Sequence, residues 1–191
     1  MLIGVLALQG AFREHQKILA DCGVDSVQVR KPEQLTSIDA LIIPGGESTT
    51  MGKLLKEFTL FKPIIEKAQN GMPVFGTCAG LIMLAKEIKS SNQPSLGLMD
   101  MVVERNAFGR QVDSFEADLD IDCLGSEPFR AVFIRAPYID QVSESVQVLA
   151  KYQDKIVLAR QGRYLAAAFH PELTNDTRLH NYFINMVENF E

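Results

Sequence analysis

The sequence predicts an α/β fold: three layers, with a mixed, mostly parallel central sheet and helices on both faces. Three observations lead there. In the first half, short apolar runs of strand length alternate with segments that place apolar residues at helical spacing. Glycines and prolines mark the junctions between them. The second half then turns to strands separated by hairpin-type turns. With 191 residues, of which 47% are hydrophobic and 23% charged, the chain suits one domain spanning 1–191. A folded chain of this size buries roughly 70% of the surface that its unfolded form exposes, so its core needs no covalent staples.

The elements follow in order. Residues 2–8 are an apolar run, read as a buried strand. After Gln9-Gly10, Phe12, His15, Leu19 and Cys22 recur at helical spacing, and Gly23 fits a helix C-terminus. Strands at 26–30 and 39–43 follow, the second running into Pro44-Gly45-Gly46. Ser48-Thr49-Thr50 can cap a helix reaching about Phe58. A helix over 63–69, a strand over 73–75 and a nearly all-apolar helix over 81–88 complete the βαβαβα order, which demands a parallel sheet. From residue 98 the expectation is strands at 98–104, 115–122, 131–135, 146–151, 156–160 and 164–169. A last helix places Leu179, Tyr182, Phe183, Met186, Val187 and Phe190 on one stripe.

Composition excludes several classes. Nineteen Lys and Arg against 24 Asp and Glu give a net charge of −5, the wrong sign for a nucleic-acid binder or for an anionic membrane surface. The N-terminal apolar run lacks a basic leader, and the apolar stretch over 72–85 is too short and too interrupted to span a bilayer. A cytoplasmic protein is expected, with no nucleic-acid and no membrane partner. Cys22, Cys78 and Cys123 have no spacing that suggests a disulfide framework or a metal site.

Chemistry concentrates at Gly76-Thr77-Cys78-Ala79-Gly80, between a predicted strand and a predicted buried helix. This is the pattern of a nucleophile elbow with cysteine as the central residue. A sharp turn exposes the thiol, and the helix N-terminus offers backbone N–H donors. The competing reading is a small buried hydrophobe, and it holds for Cys22 and Cys123. A thiol nucleophile needs a base. His170 stands at a predicted strand end, ahead of Pro171-Glu172. Residues two apart in extended chain project to one side, so Glu172 can orient the His170 ring toward Cys78. The competing reading of Glu172 is a helix-entry signal before Thr174. His15 and His180 read as packing or surface residues. Gly45 and Gly46, in Pro44-Gly45-Gly46-Glu47-Ser48, leave backbone N–H groups unobstructed. The N–H groups of Gly46 and Ala79 would make an oxyanion hole, against the plainer reading of a strand-to-helix turn.

Together these three motifs resemble the class I, triad-type glutamine amidotransferases. Further stretches narrow the likeness: Leu8-Gln9-Gly10 with Glu14-His15, Gly45–Thr50, the run from Val103 through Arg105-Asn106-Ala107-Phe108-Gly109-Arg110-Gln111, Ser114-Phe115-Glu116, and Phe133-Ile134-Arg135-Ala136-Pro137. They are similar to the glutaminase subunits of pyridoxal 5′-phosphate synthase, over nearly the whole chain. The resemblance implies a flavodoxin-like fold. It implies hydrolysis of L-glutamine to glutamate and ammonia by Cys78, His170 and Glu172 through a γ-glutamyl thioester. It also implies a separate synthase subunit, in a multi-copy complex, that takes the ammonia for vitamin B6 biosynthesis, and no bound cofactor or metal. By the same resemblance, Gly46, Glu47, Ser48, Arg105, Ile134 and Arg135 contact glutamine. Arginine forks suit an α-carboxylate, although a surface ion pair is the commoner fate of an arginine. Glu47 would meet the α-ammonium through its carboxylate or its backbone. Gln9, with Gly10 and Gly45, would shape the oxyanion loop, or Gln9 is merely a turn residue. The alternatives are a γ-glutamyl hydrolase or peptidase of the same elbow type, another amidotransferase branch, and a non-catalytic scaffold module.

Overall fold

A computed structural model of the chain describes residues 1–105 and 114–189. Positions 106–111 of the vitamin B6 run, and Phe190 of the last stripe, lie outside the described residues. The strands are β1 (Leu2–Leu6), β2 (Asp25–Val29), β3 (Ala40–Ile43), β4 (Val74–Thr77), β5 (Ala85–Ile88), β6 (Met99–Glu104), β7 (Ser114–Leu119), β8 (Phe129–Ile134), β9 (Tyr138–Val142), β10 (Gln147–Tyr152), β11 (Lys155–Gln161) and β12 (Tyr164–Ala167). The helices are α1 (Phe12–Asp21), α2 (Ser48–Glu57), α3 (Phe61–Gln69), α4 (Ala79–Leu84) and α5 (Arg178–Glu188).

Among the described residues, the main sheet runs β2-β1-β3-β4-β12-β11-β9-β6-β5, with β10 paired to β11. Strands β2, β1, β3, β4 and β12 are mutually parallel, and β11 and β9 continue the sheet in antiparallel sense. Strands β7 and β8 form a separate antiparallel pair. The parallel strands read as unbroken apolar runs because both their faces are covered: every residue of β3 and β4 is buried. Helix α1 presents His15, Ile18 and Leu19 to the core, at the spacing that one helix face requires. It ends as expected at Gly23, whose φ of +76° lets the Gly23 and Val24 N–H groups return to the last-turn carbonyls of Ala20 and Leu19.

Three elements differ from expectation. The predicted helix over 81–88 is helix only to Leu84; residues 85–88 pair with β6 as an edge strand, where Lys86 and Glu87 are exposed. An apolar run cannot by itself separate a buried helix turn from a following strand. Strand β9 was not expected, because Asp140 and Gln141 break any apolar run there. Helix α3 begins at Phe61, with Pro63 inside its first turn, where the missing N–H loses no helical bond.

One arrangement positions the site. The C-terminal ends of β1, β3, β4 and β12 are neighbours, and each leads into a loop that carries candidate residues: Gln9-Gly10, Gly45–Ser48, Cys78 and His170–Glu172. Crevices beyond such strand ends are where open α/β sheets bind their ligands. The turn from β4 into α4 is packed to the limit. A Cβ on Gly80 would lie 2.0 Å from the Ile43 carbonyl oxygen, and one on Gly76 would lie 2.5 Å from the Gly80 carbonyl. No described helix is long and apolar enough to cross a membrane.

Gly80→Ala is therefore expected to destabilise the chain by about 3 kcal/mol or more, since backbone must move. Gly52→Ala, inside α2 with its nearest neighbour at an ordinary 3.6 Å, is expected to add about 0.5–1 kcal/mol. Urea unfolding of the two variants checks both signs.

Candidate active site

Cys78 occupies the junction of β4 and α4 with φ 49° and ψ −103°. A non-glycine residue at positive φ is held there only when its surroundings over-determine it. Here the Cys78 N–H donates to the Ala167 carbonyl at 2.8 Å, and the Cys78 carbonyl accepts from Ile82 at 3.2 Å. The side chain is left facing a cleft, with Sγ 3.9 Å from the Ile134 carbonyl oxygen.

His170 follows the end of β12, its N–H fastened to the Val132 carbonyl at 2.8 Å. Its Nδ1 lies 2.8 Å from Glu172 Oε1. Both residues are buried, His170 at 7% and Glu172 at 6% exposure. Burial opposes a charge on His170, but the hydrogen-bonding and charge of the Cys78 sulfur and the Glu172 carboxylate outweigh it and push the His170 pKa up to about 10. Burial also works to raise the Glu172 pKa. His15 and His170 work the other way and hold it below the usual carboxylate range.

A cleft of about 360 Å³ opens at this point, lined by Gly46, Glu47, Ser48, Cys78, Ile82, Arg105, Ile134, Arg135 and His170. The six residues expected to contact substrate thus share one cavity with the thiol and the imidazole. Arg105 and Arg135 are exposed, Arg135 at a strained φ of +42° directly after β8. Ala79 opens α4, where a first-turn N–H has no helical acceptor. Gly45 lies under the His170 ring, and a Cβ there would meet Cε1 at 2.3 Å. Gly10 in turn is pressed on the Gly45 carbonyl oxygen, which a Cβ would meet at 1.7 Å. Gln9 Oε1 accepts from the Glu47 N–H at 3.1 Å, which sets the Gln9 side chain against the glycine loop.

Glu47, not Ser48, caps α2. Its carboxylate accepts from the N–H groups of Thr49 at 3.0 Å and Thr50 at 2.6 Å and from the Thr50 hydroxyl. Its slight burial acts upward, but these donors, the Thr50 hydroxyl first, hold its pKa down at about 2. The carboxylate is therefore engaged with the first turn of the helix. Ser48 is the first helical residue, and its hydroxyl donates to Gln93 Oε1 at 3.2 Å.

Several residues at the site were not singled out from sequence. Gln93 Oε1 also accepts from Thr49 Oγ1 at 3.1 Å and from Arg105 at 3.1 Å, which ties the guanidinium to the start of α2. It lies in a loop without a motif, so no signal pointed to it. Ile82 supplies an apolar wall one turn into α4. His15 and His180, expected as packing or surface residues, are fully buried and in polar contact. His15 Nδ1 lies 2.9 Å from His180 Nε2, and His15 Nε2 lies 3.1 Å from Thr77 Oγ1 and 3.4 Å from Glu172 Oε2. His15 and His180, on helices far apart in the chain, gave no local pattern that would join them.

The sequence profile of the SNO glutamine amidotransferase family matches residues 5–189. The chain belongs to that family. A relative in Pelotomaculum thermopropionicum, named pyridoxal 5′-phosphate synthase subunit PdxT, is 72% identical over 184 residues, covering 96% of this chain and 94% of the relative. A protein of the same name in Desulforamulus reducens is 71% identical over 188 residues, covering 98% of this chain and all of the relative. A solved structure described as a glutamine amidotransferase superposes with a TM-score of 0.92 at 52% identity, covering 97% of this chain and 98% of that one. A putative GMP synthase subunit from Thermoplasma acidophilum, at 15% identity and a TM-score of 0.71, shares the fold. Membership of the family accords with the mixed, mostly parallel sheet described above.

The His170 ring should remain protonated well above neutrality. Its imidazole NMR signals are expected to titrate near pH 10, and Cys78→Ala should move the titration down toward the ordinary 6.5. A raised histidine pKa stabilises the fold most below 6.5, and the gain is lost as pH rises through 10. The stability gap between the wild-type chain and His170→Asn should therefore be widest in mild acid and close toward pH 10.

Proposed function

We propose that this chain hydrolyses L-glutamine to glutamate and ammonia and passes the ammonia to a synthase subunit that makes pyridoxal 5′-phosphate. The observation that carries the reading is the meeting of Cys78, on its strained turn, with the hydrogen-bonded His170–Glu172 pair at one cleft. The family and the 72% identical relative support the same activity and the same kind of complex.

The mechanism follows from the placement. The Cys78 sulfur attacks the side-chain carboxamide carbon of glutamine, and the N–H groups of Gly46 and Ala79 receive the developing oxyanion. His170, protonated and steadied by Glu172, gives its proton to the departing nitrogen, so ammonia leaves and a γ-glutamyl thioester remains. Neutral His170 then takes a proton from water, the hydroxide adds to the thioester, and glutamate is released with the thiol restored. Among the described cleft residues Arg105 and Arg135 present the guanidinium groups, and their forks suit the α-carboxylate of the substrate. Ser48 and Ile134 complete the contacts.

Ammonia released into water at neutral pH is protonated and loses its nucleophilicity. Coupling to the synthase subunit therefore belongs to the same reading: docking activates the site and the ammonia travels protected. The glycine loop at 45–46 and its Gln9 prop are the parts that respond, because a peptide flanked by glycine turns at low cost. The whole chain acts as one glutaminase domain and works in the cytoplasm.

A glutaminase assay with and without the synthase subunit is the direct test. Cys78→Ala is expected to lower ammonia release at least about 10³-fold, as loss of a triad nucleophile does. Survival of activity in that variant, or equal turnover of γ-glutamyl peptides, would overturn the assignment. Full activity of the chain alone, unaltered by the synthase, would overturn the coupling. Gln93→Ala should raise KM for glutamine about fivefold while kcat holds within about twofold, because Arg105 loses one hydrogen bond worth about 1 kcal/mol.

A further inference from the structure

Behind the catalytic pair lies a second line of polar groups that the mechanism above does not use. His180, on α5, reaches His15, on α1, at 2.9 Å. His15 Nε2 in turn stands between two targets: Thr77 Oγ1 at 3.1 Å, in the residue just before the nucleophile, and Glu172 Oε2 at 3.4 Å. Both rings are 0% exposed, and Phe75 packs edge-on against each. Apolar side chains would fill such a space without the cost of burying ring nitrogens.

We propose that His15 is a positioning residue for glutamine hydrolysis: with His180 behind it, it fixes the Glu172 carboxylate and through it the His170 ring. The proposal rests on the assignment of Cys78, His170 and Glu172 as the reacting triad.

Burial lowers the pKa of both His15 and His180, so each ring is neutral and carries one N–H. Two proton arrangements are then open. In the first, His180 Nε2–H donates to His15 Nδ1, and His15 Nε2–H points between Thr77 and Glu172. The atom left over is His180 Nδ1, an acceptor without a hydrogen-bond partner among the described residues. In the second, His15 Nδ1–H donates to His180, a ring lone pair faces the Glu172 carboxylate, and His180 Nδ1–H becomes an orphaned buried donor. Orphaned donors are rarer and costlier than orphaned acceptors, and a lone pair against a carboxylate is repulsive. The first arrangement therefore holds. Among the described residues Glu172 Oε2 has no hydrogen-bond partner, and the His15 Nε2–H stands 3.4 Å from it, just beyond its 3.1 Å contact with Thr77 Oγ1. With Oε1 bonded to His170 and Oε2 facing His15, the carboxylate lies between the two rings. His15 also links the acid to the nucleophile's own turn through Thr77.

The experiment measures glutamine hydrolysis in the complex with the synthase subunit for His15→Phe, His15→Gln, His15→Asn and His180→Phe, with thermal unfolding of each. His15→Phe keeps the ring and loses the donor. It is expected to lower kcat about tenfold or more with KM within about twofold, the loss that misplacing a catalytic group brings. The downfield proton resonance of the His170–Glu172 bond should move with it. His15→Gln, whose amide nitrogen can occupy the Nε2 position, should restore at least about a third of kcat and the resonance. His180→Phe, which frees His15 to take the other tautomer, should cost about two- to fivefold. A folded His15→Phe variant with kcat within twofold of wild type, or a Gln variant as impaired as Phe, overturns the proposal. If His15→Phe does not fold, Gln against Asn decides: the shorter Asn amide falls short of Glu172, and equal kcat values overturn the proposal. Activity surviving Cys78→Ala would instead remove the triad on which the proposal stands.

Discussion

The structure depends on the closeness of three backbones: the end of β3, the turn after β4 and the first turn of α4. With no side chain on Gly76 or Gly80, the helix settles directly on the two strands. That closeness forces Cys78 into a backbone conformation few residues adopt, and the same contact presents its sulfur to the cleft. The remaining groups take their places from this point. Strand β12, bonded to β4 from Tyr164↔Val74 to Ala167↔Thr77, delivers His170 beside the thiol. Strand β3, on the other side of β4, delivers the glycine loop against the His170 ring.

Electrostatics then divides the site into a dry interior and a wet rim. Glu172 is enclosed, and its carboxyl is held below the usual carboxylate range against the cost of burial, with His170 hydrogen-bonded to it. At the rim, Arg105 and Arg135 are exposed and the Glu47 carboxylate is spent on the start of α2. Charges inside are thus held where dielectric screening is weak, and those at the rim where water screens them.

Much of this was legible in the sequence, for physical reasons. Parallel strands covered on both faces must be apolar throughout, so β1, β3 and β4 stood out as runs. The elbow stood out because its two glycines and central cysteine are adjacent in the chain. His170 and Glu172 could be joined because two residues of extended chain put them on one side. What stayed hidden was held together by tertiary structure alone. Gln93 meets Ser48, Thr49 and Arg105 across three separate segments, and His15 meets His180 from nearly opposite ends of the chain. The expectation that Ser48-Thr49-Thr50 cap α2 failed because Glu47, the residue before them, has a side chain long enough to reach the Thr49 and Thr50 N–H groups. The apolar stretch ending at Ile88 divided into helix and strand because only its first part is enclosed; Lys86 and Glu87 already face solvent at the sheet edge.

The position of β12 also bears on how the chain acquires its shape. This strand lies in the middle of the sheet, yet it is the last one made, and it pairs Tyr164 with Val74. Contacts so distant along the chain are slow to form. While the protein emerges from the ribosome, the early strands must wait with the seat beside β4 vacant, and the imidazole and the acid arrive only when that seat is filled. The nascent polypeptide therefore carries the Cys78 thiol without the His170 imidazole until synthesis is almost over.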